Sequence, residues 1–75
     1  MAPDGFRRAL RSFTRRRPFR PFQIEFHSGR RLVVNHPEAV QARGNVMYYA
    51  SPGEAGRNYL FDASSVSLLS DVEDE

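Results

Sequence analysis

The sequence contains no cysteine. The chain therefore has neither a disulfide nor a thiolate zinc site, and such a composition favours a reducing compartment. It also lacks any stretch approaching the ~20 apolar residues of a membrane-spanning helix, and no apolar signal-peptide core occurs near its start. We therefore expect a cytoplasmic protein that does not associate with a membrane.

Lysine is absent as well, so all eleven basic residues are arginine. The formal net charge of +2 hides a strong polarity along the chain. Nine of the arginines lie in residues 7 to 31, where Glu25 is the only acid, whereas residues 71 to 75 contain four acids and no base. Because the guanidinium group is a planar fork that suits phosphates and carboxylates and stacks on rings, the expected partner is anionic.

The length of 75 residues indicates a single domain. A chain this short buries only ~60% of its unfolded surface, so its stability should be marginal and a homo-oligomer is a candidate assembly. The acidic residues 71 to 75 are expected to form a disordered tail. This leaves residues 1 to 70 as the folded domain.

The first segment, residues 4 to 16, has the pattern of an amphipathic helix. Asp4 is a suitable N-cap, and Pro18 stops the helix because it cannot continue the backbone hydrogen bonding. The apolar residues recur at helical spacing and predict one buried stripe: Phe6, Ala9, Leu10 and Phe13.

The next segment, "FQIEFH" at residues 22 to 27, alternates strictly between apolar and polar side chains and predicts a strand. A second strand, "RRLVVNH", follows after a turn. A two-residue turn would place its apolar residues on the wrong face, whereas a three-residue turn with Gly29 left-handed places them correctly. The preferred register pairs Phe26 with Arg30, Ile24 with Leu32, and Phe22 with Val34.

Further strands are predicted at "VMYYA", "RNYLF" and "VSLL", while "EAVQA" is ambiguous and "SPGEAG" indicates a mobile loop. The chain thus predicts an α+β, mainly β fold in which an N-terminal helix precedes about five short antiparallel strands. So few residues are expected to curl into a small, strongly bent Sm-like or SH3-like barrel over residues 22 to 69, with the helix capping or flanking it.

Three motifs carry a family resemblance: Pro18-Phe19-Arg20-Pro21-Phe22, Gly29-Arg30 and His36-Pro37-Glu38. Together with the preceding helix they resemble a family of small bacterial proteins that has no assigned activity. The resemblance therefore implies a fold and no function. The order of elements is also similar to that of Sm-like proteins, a likeness at the level of fold alone.

The arginine cluster is the one feature of the sequence that points to a function. Each arginine that contacts a phosphate releases about one counterion, so such a cluster can bind nucleic acid without sequence preference. Phe13 and Phe19 would stack on unpaired bases if they are exposed. The alternatives are a solvated helix face with both rings in the core, an acidic protein partner, or a membrane surface. The candidate nucleic-acid-binding residues are Arg7, Arg8, Arg11, Arg15, Arg16, Arg17 and Arg20.

The same segment has two further interpretations. Arg15, Pro18 and Pro21 have the spacing of a proline-rich SH3 ligand. However, Phe22 begins a buried strand directly afterwards, which favours a stiff elbow at "RPFRP", residues 17 to 21, anchored by Phe19 and Phe22. The elbow interpretation does not exclude that its arginines also contact a partner.

Nothing in the sequence indicates catalysis or a cofactor. His36-Pro37-Glu38 lacks a nucleophile or second base, and His27 does not meet His36 in the predicted hairpin, so we expect no metal site. Asp62 is expected to cap a turn through Ser64 or Ser65. The tyrosines of the adjacent strands, Tyr48, Tyr49 and Tyr59, are expected to pack together or to form an interaction surface.

The sequence therefore favours a non-enzymatic binding module with RNA or single-stranded DNA as its partner. The alternative is a protein-interaction or assembly module whose arginine face meets acidic protein surfaces, including those of a second copy.

Overall fold

The computed structural model describes residues 1–44, 46–50 and 58–72. In this part of the chain one helix is followed by six antiparallel strands in two three-stranded sheets, so the fold is α+β and mostly β. The elements are α1 (Pro3–Thr14), β1 (Phe22–Phe26), β2 (Arg31–Val34), β3 (Val40–Arg43), β4 (Val46–Ala50), β5 (Asn58–Asp62), a 3-10 turn (Ala63–Ser65) and β6 (Val66–Asp71).

The two sheets have the strand orders β2-β1-β6 and β3-β4-β5. The ambiguous segment "EAVQA" contributes β3, which is the one strand beyond the predicted number. Between β2 and β3 the Ala39 amide donates to the His36 carbonyl at 3.1 Å, forming a turn that contains Pro37. Because proline has no N–H to donate to a neighbouring strand, this turn ends β2 and separates it from β3. Within the described residues the two sheets do not join into a closed barrel.

The β1–β2 hairpin confirms the predicted register. Gly29 has φ 91°, its amide donates to the Phe26 carbonyl at 2.9 Å, and the Phe26 amide donates to the Arg30 carbonyl at 2.8 Å. The three-residue turn therefore places the apolar side chains of both strands on one face. The observed pairs include Phe22 with Val34 and Ile24 with Leu32.

Helix α1 begins at Pro3 and ends at Thr14, two residues before the predicted end. The predicted N-cap at Asp4 is wrong, because Ala2 occupies that position and makes no side-chain cap. Pro3 takes the first helical position, where its missing N–H costs nothing. Asp4 instead lies inside the first turn, where its charge still faces the positive end of the helix dipole.

Aromatic side chains join the helix to the sheets. The Phe6 ring meets Phe61 at 5.8 Å between centroids, and Phe61 meets Phe26 at 5.2 Å. At the other end of α1, Phe13 lies 5.1 Å from Phe22. The buried residues are all apolar within the described part. They are Phe6, Leu10, Phe22, Ile24, Val34, Ala39, Val40, Met47, Ala63 and Val66.

The last described strand, β6, reaches further than expected. Asp71, assigned to the acidic tail from the sequence, is part of β6 and pairs with Phe22 of β1. Residues 73 to 75 of the predicted tail lie outside the described residues, as do the predicted mobile loop, residues 51 to 56, and Arg57 of the predicted strand "RNYLF".

Helix α1 has 12 residues and is about 18 Å long. None of the helices in the described ranges has the length and apolar character required to cross a bilayer.

Candidate nucleic-acid interface

Three of the candidate arginines form a ridge on the outer side of α1, two within the helix and Arg15 as its C-cap. Arg8, Arg11 and Arg15 follow the spacing i, i+3 and i+7, opposite the buried residues Phe6 and Leu10. All three are exposed. With a rise of 1.5 Å per residue, the ridge is roughly 10 Å long. It presents three guanidinium groups in a row along one surface.

Arg7 does not belong to this ridge. Its guanidinium group donates to the Gly44 carbonyl in the turn after β3, and it lies 3.9 Å from the Asp4 carboxylate. The side chain thereby joins the helix to the second sheet. The sequence alone does not distinguish Arg7 from the neighbouring arginines, because its partner Gly44 is 37 positions away.

Arg16 also has a structural role. Its guanidinium group forms an ion pair with Asp71 of β6, donates to the Arg20 carbonyl at 3.0 Å, and lies 4.7 Å from the centre of the Phe13 ring. Only 22% of the side chain is exposed. Arg16 therefore connects the helix end, the elbow and the last strand, and little of it faces solvent.

Two arginines of the elbow are exposed. Arg17 donates to nearby backbone carbonyls, those of Thr14 at 3.4 Å and Arg16 at 3.1 Å. Arg20 lines a surface depression of about 390 Å³ together with Asp71. Neither residue forms a salt bridge within residues 1–44, 46–50 and 58–72, and the same holds for the ridge. The exposed candidates are thus Arg8, Arg11, Arg15, Arg17 and Arg20.

The two phenylalanines proposed for base stacking are partly buried. Both rings pack against Phe22, Phe13 at 5.1 Å and Phe19 at 6.2 Å between centroids. Phe19 anchors the elbow to the core, as the elbow interpretation requires, and Phe13 anchors the end of α1. The cationic face of α1 therefore has no exposed aromatic platform of its own among the described residues.

The three tyrosines lie on two different faces of the second sheet. Tyr49 and Tyr59 are directly paired across β4 and β5, and the Tyr49 hydroxyl donates to the Val33 carbonyl at 3.4 Å. Tyr48 lies on the outer face, paired with the exposed Leu60. The inner tyrosines therefore help to join the sheets, and the outer one is part of an exposed surface.

A cation–π contact that the sequence did not predict lies at the tip of the first hairpin. The Arg30 guanidinium lies over the Tyr59 ring, 4.8 Å from its centre. The two residues come from different sheets and are far apart in sequence, so no local pattern signals the contact. They line a pocket of about 260 Å³.

Asp62 has the structural role that the sequence predicts. The Asp62 carboxylate accepts from the Ser64 amide at 2.9 Å, which confirms the predicted turn cap. This backbone hydrogen bond, together with one from the Ser64 side chain and the positive N-terminus, lowers the pKa of Asp62. Among the described residues no three His, Asp or Glu side chains come together as a metal site would require.

No protein-family profile, curated protein or solved structure matches this chain.

Proposed function

We propose that this protein is a non-enzymatic binding module for RNA or single-stranded DNA. The observation that supports this function is the row of exposed guanidinium groups formed by Arg8, Arg11 and Arg15, continued by Arg17 and Arg20 at the elbow. A cytoplasmic location, favoured by the cysteine-free composition, suits such a partner.

The chemistry of this surface predicts binding of low sequence specificity. Guanidinium groups contact phosphates, which every nucleotide carries, and the released counterions make the affinity fall steeply with salt. Helix α1 holds the ridge rigidly because its opposite side is anchored by Phe6 and Leu10. Consequently, the spacing of the three arginine Cα atoms is set before the ligand arrives.

The first test compares two matched double variants. Arg8→Gln/Arg15→Gln removes two cations of the ridge, while the control Arg31→Gln/Arg43→Gln removes two cations from the sheets. The affinity for a single-stranded oligonucleotide is measured at several salt concentrations. The ridge variant should reduce the slope of log affinity against log salt by roughly 1.4, because each lost phosphate contact contributes about 0.7. The control should leave the slope nearly unchanged, and equal slopes for both variants would refute the proposal.

A second candidate function is a protein-interaction or assembly module. The outer face of the second sheet exposes Val46, Tyr48 and Leu60, with exposures of 49%, 37% and 65%. A connected apolar face of this kind is typical of surfaces that contact other proteins. The partner would be an acidic protein or a second copy, with the arginines meeting carboxylates.

Light scattering distinguishes the two functions. A salt-sensitive oligomer that has no affinity for oligonucleotides would favour assembly. A monomer that binds oligonucleotides at low salt would favour the nucleic-acid function.

A further inference from the structure

The pocket at the tip of the β1–β2 hairpin has the composition of a small-molecule site. Three half-buried aromatic side chains, Phe26, Tyr59 and Phe61, form its walls. Its volume of about 260 Å³ is close to the lower limit of ligand pockets, which is ~300 Å³. A single flat ring is therefore a better match for its size than a large ligand.

The rim of the pocket is polar. His27, Ser28, Arg30 and Ser65 surround the aromatic walls. The Ser65 hydroxyl donates to the Asp62 carbonyl at 2.6 Å, so its oxygen remains able to accept a hydrogen bond. The imidazole of His27 is exposed and can hydrogen-bond an entering group. The pocket thus offers both apolar contact and hydrogen-bonding groups at its edge.

Arg30 gives the pocket a charge preference. The Tyr59 ring supports the guanidinium plane at 4.8 Å, which orients the cation without neutralising it. No acidic side chain lines the pocket among the described residues. A ligand that carries both a flat ring and an anion would therefore satisfy the walls and the rim together.

The walls of the pocket are held by the core, so its shape is largely formed in advance. Phe61 contacts Phe26 on one side and the buried Phe6 of α1 on the other, both in edge-to-face geometry. The His27 amide donates to the Ser65 carbonyl at 3.0 Å and joins the hairpin to the 3-10 turn. A ligand ring would not need to reorganise these elements.

We propose that this pocket holds one unpaired nucleobase, with Arg30 contacting the phosphate of the same nucleotide. This inference rests on the proposed nucleic-acid function and assigns the base-binding site that the arginine ridge lacks. Aromatic walls and guanidinium planes are the groups on which proteins stack unpaired bases.

The pocket wall and the ridge are connected through the start of α1. Phe6 is buried and contacts the pocket wall Phe61. Arg8, two residues later in the helix, is exposed. The diameter of a helix with its side chains is about 10–12 Å. A strand that contacts both would pass around the start of α1, with phosphates on the ridge and one base in the pocket.

The direct test is a nuclear magnetic resonance titration of the full chain with uridine monophosphate. We expect the ring protons of Tyr59 and Phe61 to shift, and ribose phosphate alone to leave them unchanged. N-acetylphenylalanine amide serves as a probe for a peptide side chain. If that probe shifts these protons and the nucleotide does not, the pocket takes a protein ligand and the proposal is wrong.

Two variants with matched controls test the assigned roles. Tyr59→Leu should weaken nucleotide binding about tenfold through loss of the ring and of the support for Arg30. Tyr48→Leu, an outer-face tyrosine of the neighbouring strand, should not. Because Tyr59→Leu also alters packing, Arg30→Gln provides a second test that leaves all three rings in place, with Arg43→Gln as its control. Equal affinity in all four variants would overturn the assignment.

Oligonucleotides separate this inference from the proposed function. An abasic strand of equal length carries the phosphates without the bases. Equal binding of abasic and base-containing strands, with no effect of the nucleotide on the rings, would refute the pocket and leave the ridge function intact. Binding of the nucleotide without binding of either strand would support the pocket and refute the ridge function.

Discussion

At the scale of the residue, arginines that are indistinguishable in the sequence have different roles in the structure. Arg15 is exposed on the ridge, whereas its neighbour Arg16 is held by Asp71, by the Arg20 carbonyl and by the Phe13 ring. The partner Asp71 lies 55 positions away, so no local pattern identifies it. Only the packing of α1 against the end of β6 decides which arginine remains free for a ligand.

This difference predicts that substituting Arg16 mainly lowers stability, whereas substituting Arg15 mainly weakens oligonucleotide binding. Arg16→Ala should lower the free energy of unfolding by about 1 kcal/mol, because it removes an ion pair and a cation–ring contact. Arg15→Ala should change it by less than about 0.5 kcal/mol, as exposed substitutions usually do. Urea denaturation followed by circular dichroism measures both. For oligonucleotide binding the order should reverse, and equal stability of the two variants would show that the Arg16 contacts contribute nothing.

At the scale of the element, the β1–β2 hairpin was predictable because three independent signals agree. The strict alternation of β1, the apolar residues of β2 and the position of Gly29 allow one register only. β3 was not predictable to the same degree, since "EAVQA" shows no clear alternation and its two buried residues, Ala39 and Val40, are adjacent. The start of α1 was misjudged because Pro3 and Asp4 are both good helix-start residues.

Glycine substitutions test this account of the elements. Gly29→Ala should destabilise the protein by roughly 1–2 kcal/mol, because φ 91° forces an L side chain into a left-handed conformation. Gly5→Ala, inside α1, should stabilise it by up to about 1 kcal/mol. The nearest atom to the added methyl group would be Met1 Cγ at 3.8 Å, an ordinary contact. Thermal unfolding gives both values, and a loss of stability in Gly5→Ala would contradict the assigned helix start.

The candidate site was only partly predictable for a related reason. The exposed ridge follows from helical spacing over one short segment, and this spacing is visible in the sequence. The contact between Arg30 and Tyr59 joins two sheets, and the roles of Arg7 and Arg16 depend on distant carbonyl and carboxylate groups. Such contacts follow from the tertiary arrangement and leave no periodic signal.

At the scale of the whole molecule, the fold brings the two oppositely charged parts of the chain together. Strand β6 ends beside the elbow, where Asp71 pairs with Phe22 and binds Arg16. Val72 and Arg20 line the same surface depression. Three residues, 73 to 75, follow and carry three acids. They follow Val72 directly in the sequence, so their tether to this surface is short.

These tethered acids should compete with an anionic ligand, because a short tether gives a local concentration in the millimolar range. We expect Glu73→Gln/Glu75→Gln to tighten oligonucleotide binding several-fold at low salt, with the gain disappearing as salt screens the charges. Glu25→Gln/Glu38→Gln raises the net charge equally, from +2 to +4, but removes acids held on or between the sheets. Fluorescence anisotropy at two salt concentrations compares the variants. If both tighten binding to the same extent, net charge alone is responsible and competition by the chain end is ruled out.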